Sequence, residues 1–542
     1  MGHGGQGRLG TVARGPAIKM AQQPPHDPYS FPGYTHLFDA PERERSAIGA
    51  DIAEAHKVFG ALFLLLPNDT KENPNIPAGY TYLLQFVAHD LVDTTVPFWL
   101  ASGAGIESRN MRHDGLQMDA LYGGGPTVCP VAFKPTGREV DDRTALRLGQ
   151  ISDAKQMAMS DGVCPYRDLA RANLYRPAAD LDAMVNFSDP SHVYIADPRN
   201  DDNINVAQLT VLFSILHNAI ASRTDDTQPE ARFAHARTAM SRMYYAILRK
   251  DLLPRLLHEA VCKQLRQRTA NGAEWLWHGK DMPLEFSHGA FRVGHAMVRD
   301  LYRINDRRQP LNVSELVNGL MYGGNRQALS SDWIIEWARL FEIDGTPLKS
   351  LRLKPRKSSL DLVDLFERRI TDETDVITLR DWLSSATAGL LRVDRMADRI
   401  NQIFGTRNIA DPSRVKQWLE TLIQNGGSHP DAQALIRDRI DELACDLPLP
   451  LYVLLEASLD PACDGLRMGV VGSAILGEVL FRRILQGEAA LQGQVDSARD
   501  ALGGAWDDIE AVQDMPALIR LAATWGGLAE CPALPFIGTA MT

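Results

Sequence analysis

The sequence predicts a mostly α-helical fold: a single large helical domain with very little β. Two observations carry this. From about residue 45 onward, apolar residues recur at three- and four-residue steps, and the alternation and β-branched runs that mark strands are scarce. A third narrows the choice. No internal repeat is visible, and the connections are too long and irregular for a stack of repeats.

Residues 1–30 are rich in Gly and Pro and poor in large apolar residues, and read as a flexible segment. The segment from Tyr80 to Val92 carries Leu83, Leu84, Phe86 and Val87 in a helical pattern. A Gly-rich stretch from Ala101 to Pro126 reads as loop. The segment from Asp197 to Arg223 begins with capping-type residues and turns amphipathic, with Leu209, Leu212, Phe213, Leu216 and Ile220 at helical steps. Arg237 to Gln267 is a long helical region broken near Pro254, and a shorter element spans 291–302. Further helices are expected at 330–341, 376–404, 413–424, 432–444 and 471–486. The domain is drawn at 31–525, followed by a tail at 526–542.

Composition excludes some functions. The chain has 542 residues, 45% hydrophobic and 23% charged, with a formal net charge of -11. Such an acidic chain is not suited to nucleic acid, which needs clustered Lys and Arg. The longest apolar run, Val58 to Leu66, is under half of the roughly 20 residues that a membrane helix needs, so no membrane span is expected. The first 20 residues lack the apolar run of a secretory signal. The six cysteines are scattered, without a CxxC pair, and read as reduced thiols in a cytoplasmic protein, with three disulfides, and secretion by a non-classical route, as the alternatives.

Three segments could carry chemistry. Gln85 and His89 lie four apart and share one helix face, where His89 could act as a general base. Arg199 stands just before a long helix, beside Asp197, Asp201 and Asp202, where a cation could stabilise negative charge. His295 follows Gly294 in an apolar setting and could bind iron through a neutral imidazole. Each also has an ordinary structural reading, as a satisfied core histidine or a helix-capping cluster. The order of the three, on separate helices of a large α domain, suits a haem held between helices.

With these residues in hand, the chain resembles the animal haem peroxidase family, or peroxidase–cyclooxygenase superfamily, and its bacterial members in particular. The resemblance rests on QFVAHD (85–90), LQMDALYGGGP (116–126), ADPRNDDN (196–203), the pair His217 and Asn218, AFRVGH (290–295), SDWIIEWARLFEIDG (331–345) and the long segment 450–480, and extends from about 30 to 525. It implies His295 as the proximal iron ligand. It implies His89 as the acid–base group toward hydrogen peroxide, Arg199 as the stabiliser of charge during O–O cleavage, and Gln85 in the distal pocket. Arg292 would face a haem propionate.

The departures are as informative. Ala88 stands where the family often has an ester-forming Asp, and Asn203 where some members have a haem-linking Met. Asp202 replaces the usual Glu at the second ester position. The cofactor implied is therefore haem b or a modified haem with at most one ester link, through Asp202. Segment 378–397 resembles the family's proximal helix and puts Asp381 where Asn is usual and Ser384 where an Arg meets a propionate. A carboxylate on the proximal His would raise its basicity. Calcium stays open: Asp90 matches a family ligand and Asp119 is kept nearby, but Gln117 stands where Asp is usual.

The main functional expectation is a peroxidase using hydrogen peroxide to oxidise a small-molecule donor or a halide. A fatty-acid dioxygenase of the same superfamily would carry a radical-forming Tyr three residues before the proximal His, where this chain has Arg292. A repurposed haem protein or a specialised biosynthetic oxidase is the reading from another class.

Overall fold

Helix boundaries follow local chemistry. The Asp51 side chain accepts the N–H groups of Ala53 and Glu54 and starts helix α1 (Ile52–Leu65). Asn203 and Asp514 cap helices α3 (Ile204–Ala221) and α12 (Met515–Trp525) in the same way, and Asp411 caps α8 (Pro412–Asn425). The other long helices are α2 (Gly79–Leu91), α4 (Pro229–Ile247), α5 (Glu259–Asn271), α6 (Ile377–Thr387), α7 (Val393–Phe404), α9 (Pro430–Asp438), α10 (Leu449–Leu459) and α11 (Val470–Leu502). The computed structural model describes residues 33–97, 108–112, 115–134, 143–157, 162–171, 193–271, 275–318, 328–362 and 376–540. The N-terminal segment 1–30 lies outside them.

Among the described residues, β-structure is confined to five two-stranded ladders, most of them pairs of two-residue strands. One, residues 72–77 paired with 349–351, ties the entry of α2 to a distant loop. The mostly α expectation therefore holds.

Helices α2 and α3 form the centre. All residues of α2 are buried, as are all but one of α3. Phe86 of α2 meets Phe213 of α3 edge to face, 5.0 Å between ring centroids. Helix α3 is long and apolar enough to cross a membrane, and it is buried as a core helix.

Several sequence expectations need correction. Segment 330–341 is not a helix but two 3₁₀ turns, Ser331–Trp333 and Trp337–Arg339. Its backbone donors are taken by distant partners: Glu336 donates to the Ile304 carbonyl, Trp337 to Phe536 and Ala338 to Ile537. Those last two acceptors lie in the expected C-terminal tail, whose residues 526–540 pack onto the domain. The helix expected over 376–404 is two, α6 and α7, separated at Gly389, whose φ of 63° suits glycine. Region 432–444 is likewise split, into α9 and a short helix Ile440–Cys445. The helix expected at 471–486 is longer, running through α11 to Leu502. The break near Pro254 is a π turn over Leu248–Leu252, which absorbs the missing N–H of the proline. Element 291–302 is a 3₁₀ segment, Ala290–Met297, and an extended pair.

The cysteines are not all reduced. Cys164 and Cys531 form a disulfide across 367 residues, while Cys129, Cys262, Cys445 and Cys463 are free. Sequence spacing could not find this pair, because only the fold brings 164 and 531 together.

Candidate active site

Helix α2 and the 3₁₀ segment Ala290–Met297 face each other across a narrow crevice. Thr81, Leu84, Gln85 and Ala88 line one wall; Phe291, Gly294, His295 and Val298 line the other. The wall is not crowded at Gly294, where a Cβ would meet only Leu84 Cδ2, at an ordinary contact distance of 3.5 Å.

On the second wall, His295 Nδ1 lies 2.5 Å from Asp381 Oδ2, and the other Asp381 oxygen accepts from Arg292 at 3.1 Å. All three side chains are buried. With Nδ1–H donated to a carboxylate, the His295 lone pair sits on Nε2. The pair is held by a ring of contacts. The Ser358 hydroxyl donates to the His295 carbonyl, Asp361 accepts from the Ser358 N–H and from Thr378, and Thr378 opens the helix α6 that carries Asp381. Arg292 also donates to the Ser287 carbonyl, so its guanidinium is engaged by protein groups rather than left for a propionate alone. Ser384 is buried on the same helix.

On the first wall, Gln85 Oε1 accepts from Asn203 Nδ2 at 3.0 Å, while Gln85 Nε2 is buried without a protein partner. Asn203 thus caps α3 and orients Gln85 at once. His89 follows one turn later and is 1% exposed. Its Nδ1 lies 2.8 Å from Asn200 Oδ1. Burial, and then the Arg199 charge, push the His89 imidazole down to about 4, so it is neutral at pH 7.

Arg199 lies against His89 and the end of α2. Its Nε and Nη2 donate to Asp197, Nη2 also donates to the His89 carbonyl at 2.9 Å, and Nη1 donates to the Val92 carbonyl at 2.6 Å. It clamps the C-terminal end of α2 and, like His89, is not among the residues lining the crevice. Arg112, which sequence reasoning missed, does similar work: it donates to the His89 carbonyl and to Asp197. Burial opposes ionisation of Asp197, but Arg199 outweighs it and holds the carboxyl below its usual range. Asp202 ends the turn at Pro198–Asp201, and burial pushes its carboxyl up to about 7.

The loop at 116–126 docks on this arrangement. Gly123, Gly124 and Gly125 all have positive φ, which explains the triple glycine. Asp90 accepts the N–H groups of Met118 and Ala120, and the Ala120 carbonyl accepts from Asn200 Nδ2 at 2.8 Å. Asp90 is fully buried, and burial followed by the nearby Asp119 raises it to about 7. Asp119 pairs with Arg237 instead. Asp90 thus docks the loop through backbone donors; among the described residues the one three-donor cluster of metal-ligating type is His258, Asp460 and Cys463, elsewhere. His217 is structural: its Nε2 lies 2.9 Å from the Thr144 carbonyl and its Nδ1 meets the Tyr122 hydroxyl.

The residues present suit a haem. An axial-type imidazole backed by a carboxylate faces the crevice, and a buried, unsatisfied amide nitrogen of Gln85 faces it from the other side.

Residues 144–331 match the family model described as animal haem peroxidase. No curated protein matches the chain. Among solved structures, peroxidase A from Dictyostelium discoideum is similar with a TM-score of 0.53 and 13% identity, covering 89% of each chain. A fatty acid alpha-dioxygenase from Oryza sativa is similar with a TM-score of 0.55 and 12% identity, covering 89% of this chain and 81% of that one. At such identities the structures show the fold, and the matched segment 144–331 contains Arg199 and His295. Over residues 144–331 the chain is thus similar to the animal haem peroxidase family, and its fold is similar to that of these solved structures.

Proposed function

We propose that this protein is a haem peroxidase, reducing hydrogen peroxide and oxidising a small-molecule donor or a halide. The observation that carries the reading is the buried His295–Asp381 pair set across the crevice from Gln85, with a neutral His89 one turn beyond. His295 would hold haem through Nε2, and a haem bound there supplies the redox-active iron. Asp381 draws on the His295 Nδ1 proton, which makes Nε2 a stronger donor. Asp202 is the residue that would form an ester link; Ala88 cannot. His89, neutral above about pH 4, is able to take a proton from peroxide and return it to the departing oxygen.

A second reading is a repurposed haem protein or specialised biosynthetic oxidase on the same scaffold. The engagement of Arg199 by Asp197 and two backbone carbonyls favours it, because a guanidinium so tied is not aimed at reacting oxygen. The fatty-acid dioxygenase reading has less support: Arg292 stands at the tyrosyl position and pairs with Asp381, and among the described residues no tyrosine lines the crevice.

The test is an absorption spectrum of the purified protein, then stopped-flow mixing with hydrogen peroxide. A Soret band that shifts rapidly supports the peroxidase. A Soret band indifferent to peroxide supports the repurposed scaffold. Absence of haem uptake after reconstitution, or full uptake by His295→Ala, refutes the ligand assignment.

A further inference from the structure

We infer that Asn200 is a positioning residue: it holds His89 in the tautomer with the proton on Nδ1, so that Nε2 carries the lone pair. An amide side chain has a donor end and an acceptor end, which its hydrogen-bond partners distinguish. Here the surroundings do. One end of Asn200 lies 2.8 Å from the carbonyl oxygen of Ala120. A carbonyl can only accept, so that end is Nδ2. The other end is Oδ1, 2.8 Å from His89 Nδ1, and an amide oxygen can only accept. His89 Nδ1 must therefore carry hydrogen, and in the neutral ring Nε2 must not.

The reference point is itself fixed. Ala120 donates its N–H to Asp90, which also takes the Met118 N–H, and Asp90 follows His89 on α2. The contacts thus close a ring: His89 to Asn200, Asn200 to Ala120, Ala120 to Asp90, and Asp90 back along the helix. Arg199 and Arg112 grip the His89 carbonyl from outside the ring. Asn200 is 0% exposed, and Asn200, Ala120 and Asp90 all sit away from the crevice lining. Asn200 acts through His89 and does not touch substrate. Burial keeps the ring neutral, but neutrality alone leaves two tautomers, and the wrong one presents a proton where a base is needed. The third observation is a contrast within the same molecule. His217 has its Nε2 against a carbonyl and its Nδ1 against a hydroxyl, so it holds the opposite tautomer.

The kinetic consequence rests on the peroxidase reading; the tautomer does not. The experiment compares wild type, Asn200→Asp and Asn200→Leu as full-length chains. Both variants lose the donor to Ala120, but Asp keeps an acceptor at His89 Nδ1 and Leu does not. Nitrogen-15 spectra of histidine-labelled protein, with bound haem in the diamagnetic ferrous–carbonyl state, report which ring nitrogen is protonated. His89→Gln assigns the signal, and His217 reports folding. We expect Nδ1–H for His89 in wild type and Asn200→Asp, and a mixture or Nε2–H in Asn200→Leu. An Nε2–H signal in wild type, or an unchanged Nδ1–H signal in a folded Asn200→Leu, overturns the inference. If Asn200→Leu loses the His217 signal, Asn200→Ala takes its place under the same criteria. In stopped-flow mixing with hydrogen peroxide, Asn200→Leu should react roughly 10²-fold more slowly than wild type, and Asn200→Asp at least about tenfold faster than Asn200→Leu. Equal rates for the two variants count against the positioning role. If wild type itself ignores peroxide, the peroxidase reading fails and the spectra alone decide the tautomer.

Discussion

Replacing Asp381 by Ala should be among the costliest single changes in this protein. Asp381 is 4% exposed and serves two buried groups at once, the Arg292 guanidinium at 3.1 Å and the His295 ring at 2.5 Å. Removing one partner of a buried ion pair leaves the other charge uncompensated, which costs about 3–5 kcal/mol. The stranded His295 N–H adds a further penalty of about 1–3 kcal/mol. Arg292 keeps one bond, to the Ser287 carbonyl, which tempers the sum. We therefore expect a loss of about 4 kcal/mol. The control is Asp381→Leu combined with Arg292→Met, which removes both charges and should recover more than half of that loss. Urea unfolding followed by tryptophan fluorescence measures it, with Trp382 beside the site as a local reporter. At a slope of about 3 kcal/mol per molar urea, Asp381→Ala should lower the midpoint by about 1.3 M. A shift under about 0.3 M, or a double variant worse than the single one, would falsify the view that Asp381 chiefly neutralises Arg292 and anchors His295.

Three further outcomes are expected. His89 titrates near 4 in the fold and near 6.5 unfolded, so the unfolded chain takes up its proton first as pH falls; stability should drop by roughly 3 kcal/mol between pH 6.5 and 4, and His89→Gln should remove that component from urea midpoints measured across the window. Gly289→Ala should destabilise by about 1–3 kcal/mol, since its Cβ would lie 2.3 Å from the Glu285 carbonyl oxygen, whereas Gly294→Ala should cost under about 1 kcal/mol; equal melting shifts for the two would contradict the packing described. Thiol titration of the unfolded chain should find four reactive groups before reduction and six after it, and a count of six without reductant would remove the Cys164–Cys531 bridge.

Much of the site was legible in the sequence because it is local. Gln85 and His89 share a helix face by spacing alone, and Arg292 and His295 sit within one short segment. The ADPRNDDN segment was singled out as a unit, and it contains Asn200, yet Asn200 itself went unremarked. Its role depends on Ala120 and His89, 80 and 111 residues away, and no local pattern marks such a partner. The surroundings of Arg199 were hidden for the same reason: the fold turns its donors onto the His89 and Val92 carbonyls at the end of α2.

By itself, then, the sequence determined the helical class, the long apolar helices α2 and α3, and the residue types gathered around the crevice. Periodicity and capping are encoded within a few residues, so they survive without knowledge of the fold. The Asp381–His295 pairing was expected only through the resemblance of segment 378–397, and only the tertiary structure decided that the YGGG loop braces Asp90, that segment 330–341 gives up a helix to pair with the C-terminal residues, and that Cys164 reaches Cys531. Each of these joins groups far apart in the chain. Buried polar groups must find partners, and which partner lies within 3 Å is set by how the helices pack.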